Sequence, residues 1–220
     1  MKKIFCFLLL ALSFAAFSQG NISEGIVVSK QTMSSDNEQA NSQFAMVGDI
    51  ETTTYFKGNK SRSETSNLMA GNTITIIDNS SKQMLIAMDN QMVGKKYVTK
   101  GTEPSLEDLE NIEIVKVDEI KTILGYECQK YNITVVKDAV TITMEMFATD
   151  KITAVSQQST MLGENFKGFP LLLTMNMSQM GMNMTITHEV TEIKEEIVSE
   201  VKFDLTPPEG YEKTEQLMGM

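Results

Sequence analysis

The sequence predicts a mainly β chain, an antiparallel sandwich or barrel of close to twelve strands. Three observations carry that reading. Apolar residues recur in steps of two over much of the chain, the period of a half-buried strand. No long stretch repeats at the 3.6-residue period of an amphipathic helix. Turn-forming residues punctuate the pattern at short intervals, as at Gly58-Asn59, Ala70-Gly71-Asn72, Asp78-Asn79-Ser80-Ser81 and Gly181. Many short strands so spaced build antiparallel sheets.

In chain order, residues 1–18 read as a signal peptide. Lys2 and Lys3 form a positive start, Ile4 to Phe17 is apolar apart from Ser13, and Ala16-Phe17-Ser18 places small residues before a cleavage point. Those are the parts of a secretory leader. Cleavage is expected before Gln19, leaving residues 19–220 as one domain that is periplasmic or secreted. The apolar run is too short to span ~30 Å of hydrocarbon, and no later run is long enough either. Cys6 lies too early in the run to be a lipidation site.

Strands are expected at about 22–32, 44–57, 60–66, 72–78, 83–89, 92–99, 112–120, 126–136, 139–149, 169–178, 182–193 and 197–204. Helix signals are few. Pro104 followed by Glu107 and Asp108 predicts one or two turns over 104–109, and residues 154–166 form a second short helix or a loop crossing the sheet. No repeat, Pro-rich linker or charge block divides the chain, so one domain is expected, with a sheet wet on one face and covered or concave on the other.

Two hairpins can be tested by parity, because opposed residues of an antiparallel pair share a face. A loop at Lys137-Asp138 sets Val135 against Val140, Ile133 against Ile142 and Tyr131 against Met144, with Thr134 against Thr141 on the other face. A loop at Met180-Gly181 sets Met177 against Met184, Met175 against Ile186 and Leu173 against His188. A loop at Gln179-Met180 preserves the same apolar face, so sidedness is fixed while register stays open.

Composition excludes several functions. The chain carries 19 Lys+Arg against 29 Asp+Glu, a net charge of −10, with Arg62 as its only arginine. Nucleic-acid binding needs clustered cations. One His and two Cys cannot supply a zinc or iron–sulfur ligand set. No nucleophile elbow, zinc-protease, P-loop or dinucleotide motif occurs, so no catalytic residue and no cofactor are expected, and the chain is not read as an enzyme. Cys128, alone after leader removal, reads as a small buried hydrophobe.

Methionine is the unusual residue. There are 17, and Met175, Met177, Met180, Met182 and Met184 sit within ten positions. Three readings compete. Met fills core gaps in place of Leu. Or Leu171, Leu173, Met175, Met177, Met182, Met184 and Ile186, with Met144 and Met146 nearby, form a deformable wall for a lipid-like ligand, with Arg62 a candidate for an anionic head group. Or Met175, Met177, Met182 and Met184 with His188 bind Cu(I) through soft thioethers. For Arg62 the plainer reading is a surface ion pair with Glu64 or Glu51.

The order of several segments resembles a known family. These are the leader, Tyr55-Phe56-Lys57-Gly58-Asn59-Lys60-Ser61-Arg62-Ser63-Glu64, Thr75-Ile76-Ile77-Asp78 and Ile123-Leu124-Gly125-Tyr126-Glu127-Cys128-Gln129-Lys130-Tyr131. Gly168-Phe169-Pro170-Leu171 and Phe203-Asp204-Leu205-Thr206-Pro207-Pro208-Glu209-Gly210-Tyr211 follow. Over roughly residues 22–212 the chain resembles the DUF4412 family of exported bacterial proteins frequent in Bacteroidetes, itself similar to the LolA/LolB lipoprotein-carrier superfamily. The resemblance implies a curved, unclosed antiparallel β-barrel, a LolA-like half-barrel of about 11–12 strands, with one or two short helices over a hydrophobic cavity. The expected function is an exported binding module for a lipid or other hydrophobic molecule, possible partners being envelope proteins. The alternatives are a periplasmic Cu(I)-binding protein using the Met175–Met184 hairpin and a structural or interaction protein of the cell envelope.

Overall fold

The structure, a computed structural model, describes residues 20–67, 71–137, 140–179 and 182–217. The leader at 1–18, the cleavage point at Gln19, Met180 and the turns at 138–139 and 180–181 lie outside the described residues.

Alternating sequence gives alternating burial, and with it a run of strands. In order they are β1 (Glu24–Ser35), β2 (Ile50–Lys57), β3 (Lys60–Asn67), β4 (Gly71–Asp78), β5 (Gln83–Asn90), β6 (Gly94–Gly101), β7 (Ile112–Ile123), β8 (Tyr126–Lys137), β9 (Val140–Thr149), β10 (Phe169–Gln179), β11 (Met182–Lys194) and β12 (Glu212–Lys213). Three helices interrupt them: α1 (Glu38–Val47), α2 (Leu106–Glu110) and α3 (Gln157–Met161). All twelve strands join one sheet in the order β12-β6-β5-β4-β3-β2-β1-β11-β10-β9-β8-β7. The chain therefore makes two meanders, β1–β6 and β7–β11, stitched by the antiparallel β1–β11 pair. Pairing is antiparallel except for β12, which runs parallel to β6. β7 and β12 remain edges, so the sheet is an unclosed half-barrel.

Two expected elements are corrected. The strand expected over 44–57 starts only at Ile50, because residues 38–47 form α1. Asn37 caps this helix by accepting from the Gln39 and Ala40 backbone N–H groups, and Gly48, at φ 70°, ends it. Phe44-Ala45-Met46-Val47 abuts Ile50 in sequence and blurs the boundary. The strand expected over 197–204 is absent. A 3-10 turn, Glu200–Phe203, takes its place, burying Val198 and Phe203 while leaving Ile197 and Val201 in solvent. The expected helices stand: Ser105 caps α2, and Ser156 forms a capping box on α3, which leads into a 3-10 turn at Gly163–Asn165.

The parity argument holds for both hairpins. β10 and β11 pair Leu173 with His188, Met175 with Ile186 and Met177 with Met184, the register of a loop at 180–181. In the β8–β9 hairpin the register is shifted by two: Val135 faces Ile142, Ile133 faces Met144 and Tyr131 faces Met146. A shift of two leaves every side chain on its expected face.

The two faces differ in what covers them. The inner face, defined here as the one under the β9–β10 connector, receives Ile152, Ala154, Val155, Leu162 and Phe166, all buried. Leu162 and Phe166 pack on Ile133, Met146, Ala148 and Leu173, and Val155 joins Leu217 against Ile77, Met84 and Ile86. The connector is tied down at its start, where Ile152 bridges Ile22 through Ile22 N–H to Lys151 O and Thr153 N–H to Ile22 O. Each fully buried Leu or Ile here contributes ~1.5–3 kcal/mol. On the outer face, the Glu200–Phe203 turn packs over β3 and β4.

Candidate functional site

Register alone assembles the site. Following the inner face across six strands, one rung reads Met33, Ile186, Met175, Met144, Ile133, Ile114, and the next reads Ser35, Met184, Met177, Ile142, Val135, Ile112. Apart from Ser35 every residue is apolar. Burial grades along this surface. Leu171, Leu173 and Met146 are buried in the core at 0, 4 and 1 % exposure. Met144, Met175, Met177, Met182, Met184 and Ile186 are half-exposed. The connector covers the first group and its cluster reaches Met144, while Met175, Met177, Met182, Met184 and Ile186 lie outside the buried clusters, leaving an open apolar trough toward the tip of the β10–β11 hairpin.

Two recesses flank this trough. One, of about 380 Å³, lies between α1 and β1 and is lined by Met33, Phe44, Ala45, Asn41, Gly48 and Asp49. The other, of about 280 Å³, is lined by Leu109 of α2, Ile112, Ile114 and Lys116 of β7, Tyr131 of β8, and Leu162 and Asn165 of the connector. Tyr131 stands edge-on to the Phe166 ring at 5.2 Å. Gly163, at φ +66°, lets the connector approach α2: a Cβ there would lie 2.9 Å from a Leu109 methyl.

The structure therefore brings Met144, Met175, Met177, Met184 and Ile186 together as expected, and assigns Leu171, Leu173 and Met146 to core rather than to the exposed wall. Sequence reading missed Ile112, Ile114, Val135 and Ile142, which extend the trough. Their signal was present, since Ile112, Ile114 and Lys116 alternate on one face of β7. It also missed the hydroxyl ladder on β2 and β3, where Thr52 bonds Thr65 at 2.8 Å and Thr54 bonds Ser63 at 2.9 Å.

The five candidate copper ligands do not converge. Met182 and His188 are six residues apart on β11, about 20 Å at ~3.3 Å per residue, too far for one coordination sphere. Met177 and Met184 are directly opposed, with Met175 two positions away, so three thioethers remain neighbours. His188 is half-buried opposite Leu173 and Gln31, and loss of water holds its pKa below the ordinary value. Among the described residues no group of three or more His, Cys, Asp and Glu is placed to hold a metal.

Arg62 does not face the trough. It pairs across the outer face with Tyr55 and Ile76. Its Nε donates to Glu64 Oε1 at 2.5 Å and its Nη1 to the Lys202 carbonyl, while Lys202 Nζ lies 3.9 Å from the Tyr55 ring centroid. Burial pushes the Glu64 carboxyl up, but Arg62 and Lys202 outweigh it and hold the group below its ordinary range. The plainer reading of Arg62, an ion pair with Glu64, therefore holds, within an outer-face cluster that anchors the C-terminal segment away from the trough and from the candidate head-group role. Cys128 is fully buried, and burial pushes its thiol up to about 11, the signature of an inert packing residue.

A family model described as a domain of unknown function, DUF4412, matches residues 39–211. No curated protein matches the chain. A solved structure of PNGF-II is 15 % identical, with a TM-score of 0.47 over 87 % of this chain, which spans 30 % of that protein's length. A domain named for outer membrane lipoprotein sorting, from Vibrio parahaemolyticus, is 9 % identical with a TM-score of 0.22, covering 82 % of this chain and 89 % of its own.

Proposed function

The chain belongs to the DUF4412 family, and from that premise and the geometry of the inner face we propose that it is an exported binding module for a lipid or similar elongated apolar ligand. The observation that carries the reading is the apolar rung Met184, Met177, Ile142, Val135 and Ile112, half-exposed over five strands, with Ile186, Met175, Met144 and Ile114 half-exposed beside it. An apolar surface open to water gains ~25 cal/mol for each Å² a ligand covers. Methionine suits such a wall because its unbranched side chain adapts to differing shapes. The leader-like segment at 1–18 supports export. Binding by burial needs no reacting group, and in this reading the protein is not an enzyme.

The test is native mass spectrometry of the protein purified from its host envelope without detergent. A lipid-like excess mass, lost on denaturation, is expected. Met177→Asp puts a charge in the centre of the trough and should abolish that excess while the far-ultraviolet dichroism stays β. A passenger retained by the variant overturns the assignment of the wall.

The opposed Met177 and Met184 with Met175 beside them favour one second reading, a Cu(I) site of three thioethers. It predicts that Met175→Leu/Met177→Leu loses Cu(I) binding in an anaerobic titration and keeps any lipid. Equal Cu(I) affinity in the variant refutes it.

A further inference from the structure

The trough has chemically different ends. At the hairpin end thioether and hydrocarbon dominate, with Ser35 beside Met184. At the β7 end it opens into the recess under α2, where Ile112 and Ile114 form an apolar floor and Lys116, Tyr131 and Asn165 bring polar groups to the same wall. Lys116 is opposite Tyr131 in the register and shares a face with Ile114, whereas Glu113 and Val115 between them point to the other side. Lys116 is exposed and forms no salt bridge among the described residues, although the chain has ten more acidic than basic side chains. An unpaired cation beside an apolar floor in so acidic a protein is charge complementarity for an anion attached to a hydrocarbon chain.

Length agrees with that occupant. Strands lie ~4.8 Å apart, so the three gaps from β7 to β10 span about 14 Å, and the two-residue offset from the Lys116 rung to the Met175 rung makes the diagonal about 16 Å. Half of a ~30 Å bilayer hydrocarbon core, one acyl chain, is about 15 Å. A head group at Lys116 therefore brings the chain end to Met175. Beside that diagonal Ile114, Val135, Ile142, Met144 and Met175 are half-exposed, so the chain passes around the buried Ile133. The two helices beside the recess also carry Leu106 and Met161, exposed at 81 and 61 %, an apolar rim for a ligand entering from an aggregate or bilayer.

We propose that the ligand is a single-chain amphiphile with an anionic head, carboxylate or phosphate. Lys116 holds the head through a charge-assisted contact, with the Tyr131 hydroxyl and Asn165 amide as neighbouring donors. This rests on the binding reading above and deepens it. The experiment compares myristate with tetradecanol, which share a chain and differ in head, by titration calorimetry on the full chain freed of its leader and delipidated. The wild-type protein should bind myristate about tenfold more tightly than the alcohol, the effect of one hydrogen bond to a charged group. Lys116→Gln should bring myristate down to the alcohol and leave the alcohol unchanged, and Lys116→Arg should restore the preference. Tetradecyl phosphate tells a phosphate head from a carboxylate, and tighter binding of either anion than of the alcohol upholds the proposal. Equal affinity for all three in the wild type, or a preference that survives Lys116→Gln, overturns the head-group assignment while the apolar trough stands. If no ligand with this chain binds at all, both the trough reading and the head-group assignment fall.

Discussion

Whether the hairpin methionines are wall or core can be decided by comparing Leu173→Ala with Met177→Ala. Leu173 is 4 % exposed and packs with Ile133, Met146, Leu162 and Phe166 under the connector. Truncation there removes buried methylenes and leaves a closed void, which costs about 2–5 kcal/mol. Met177 lies two residues further along the same strand and on the same face, but is half-exposed with no connector over it. Full burial of a Met is worth ~1.5–3 kcal/mol, and half of that, without a void, is about 1 kcal/mol. Urea unfolding of the delipidated protein measures both, with the slope checked for constancy. The expected loss for Leu173→Ala is at least twice that for Met177→Ala. For ligand retention the order should invert, since Met177 touches the open trough and Leu173 does not. Equal stability losses in the ligand-free protein would mean that the hairpin is packed core, and the wall argument would fail.

Other consequences follow from single residues. Arg62→Ala should leave ligand retention unchanged, and an Arg62/Glu64 double-mutant cycle should return a coupling below about 1 kcal/mol, the range of partly exposed pairs; weaker retention would return Arg62 to the ligand site. Cys128, with its thiol pushed up to about 11, should resist iodoacetamide at pH 8 in the folded protein and react fully in denaturant, whereas rapid native labelling would contradict its burial. His188 is depressed from its ordinary 6.5 by burial. The unfolded chain therefore binds the proton first as pH falls, and stability should drop below about pH 6.5 down through the lower folded value. His188→Leu should flatten that part of the urea-midpoint profile, and an unchanged slope would show that His188 is not its source. Gly25→Ala puts a Cβ 2.2 Å from the Lys194 carbonyl oxygen, beside the β1–β11 seam, and should cost about 1–3 kcal/mol in thermal unfolding; a neutral result would mean that the seam yields freely.

Much of this architecture was legible because β-structure is written in parity. The Met175–Met184 hairpin was placed on one face from alternation alone, and β8–β9 kept its faces although its register was two residues off. Parity is insensitive to an even shift, so it could not choose between loops at 137–138 and 138–139. What failed was local. In α1 only Ala40 is buried, so residues 38–47 carry no strong helical period, and the Asn37 cap was the usable signal. Ile197 and Val201 carry apolar character without burial, so residues 197–204 imitated a strand. The site was half legible for a deeper reason. Alternation reports which residues share a face, whereas only the path of the connector decides which part of that face stays uncovered.

That division bears on why methionine is here at all. Where the inner face meets a fixed partner, the chain uses branched residues with defined rotamers: Ile77 and Ile86 under Val155, Ile133 and Leu173 under Leu162 and Phe166. Met84 and Met146, buried in the same clusters, fit the gap-filling explanation. Met175, Met177, Met182 and Met184 do not, because they are half-exposed and lie outside the buried clusters. A side chain with three soft torsions gains little over Leu in a static, half-wet position, since it loses more rotamer entropy on ordering. Its advantage appears when the opposing surface varies from one occupant to the next. The clustering of four half-exposed Met on the hairpin, beside Ile186 and Ile142, therefore supports a surface adapted to a guest over one adapted to the chain's own core.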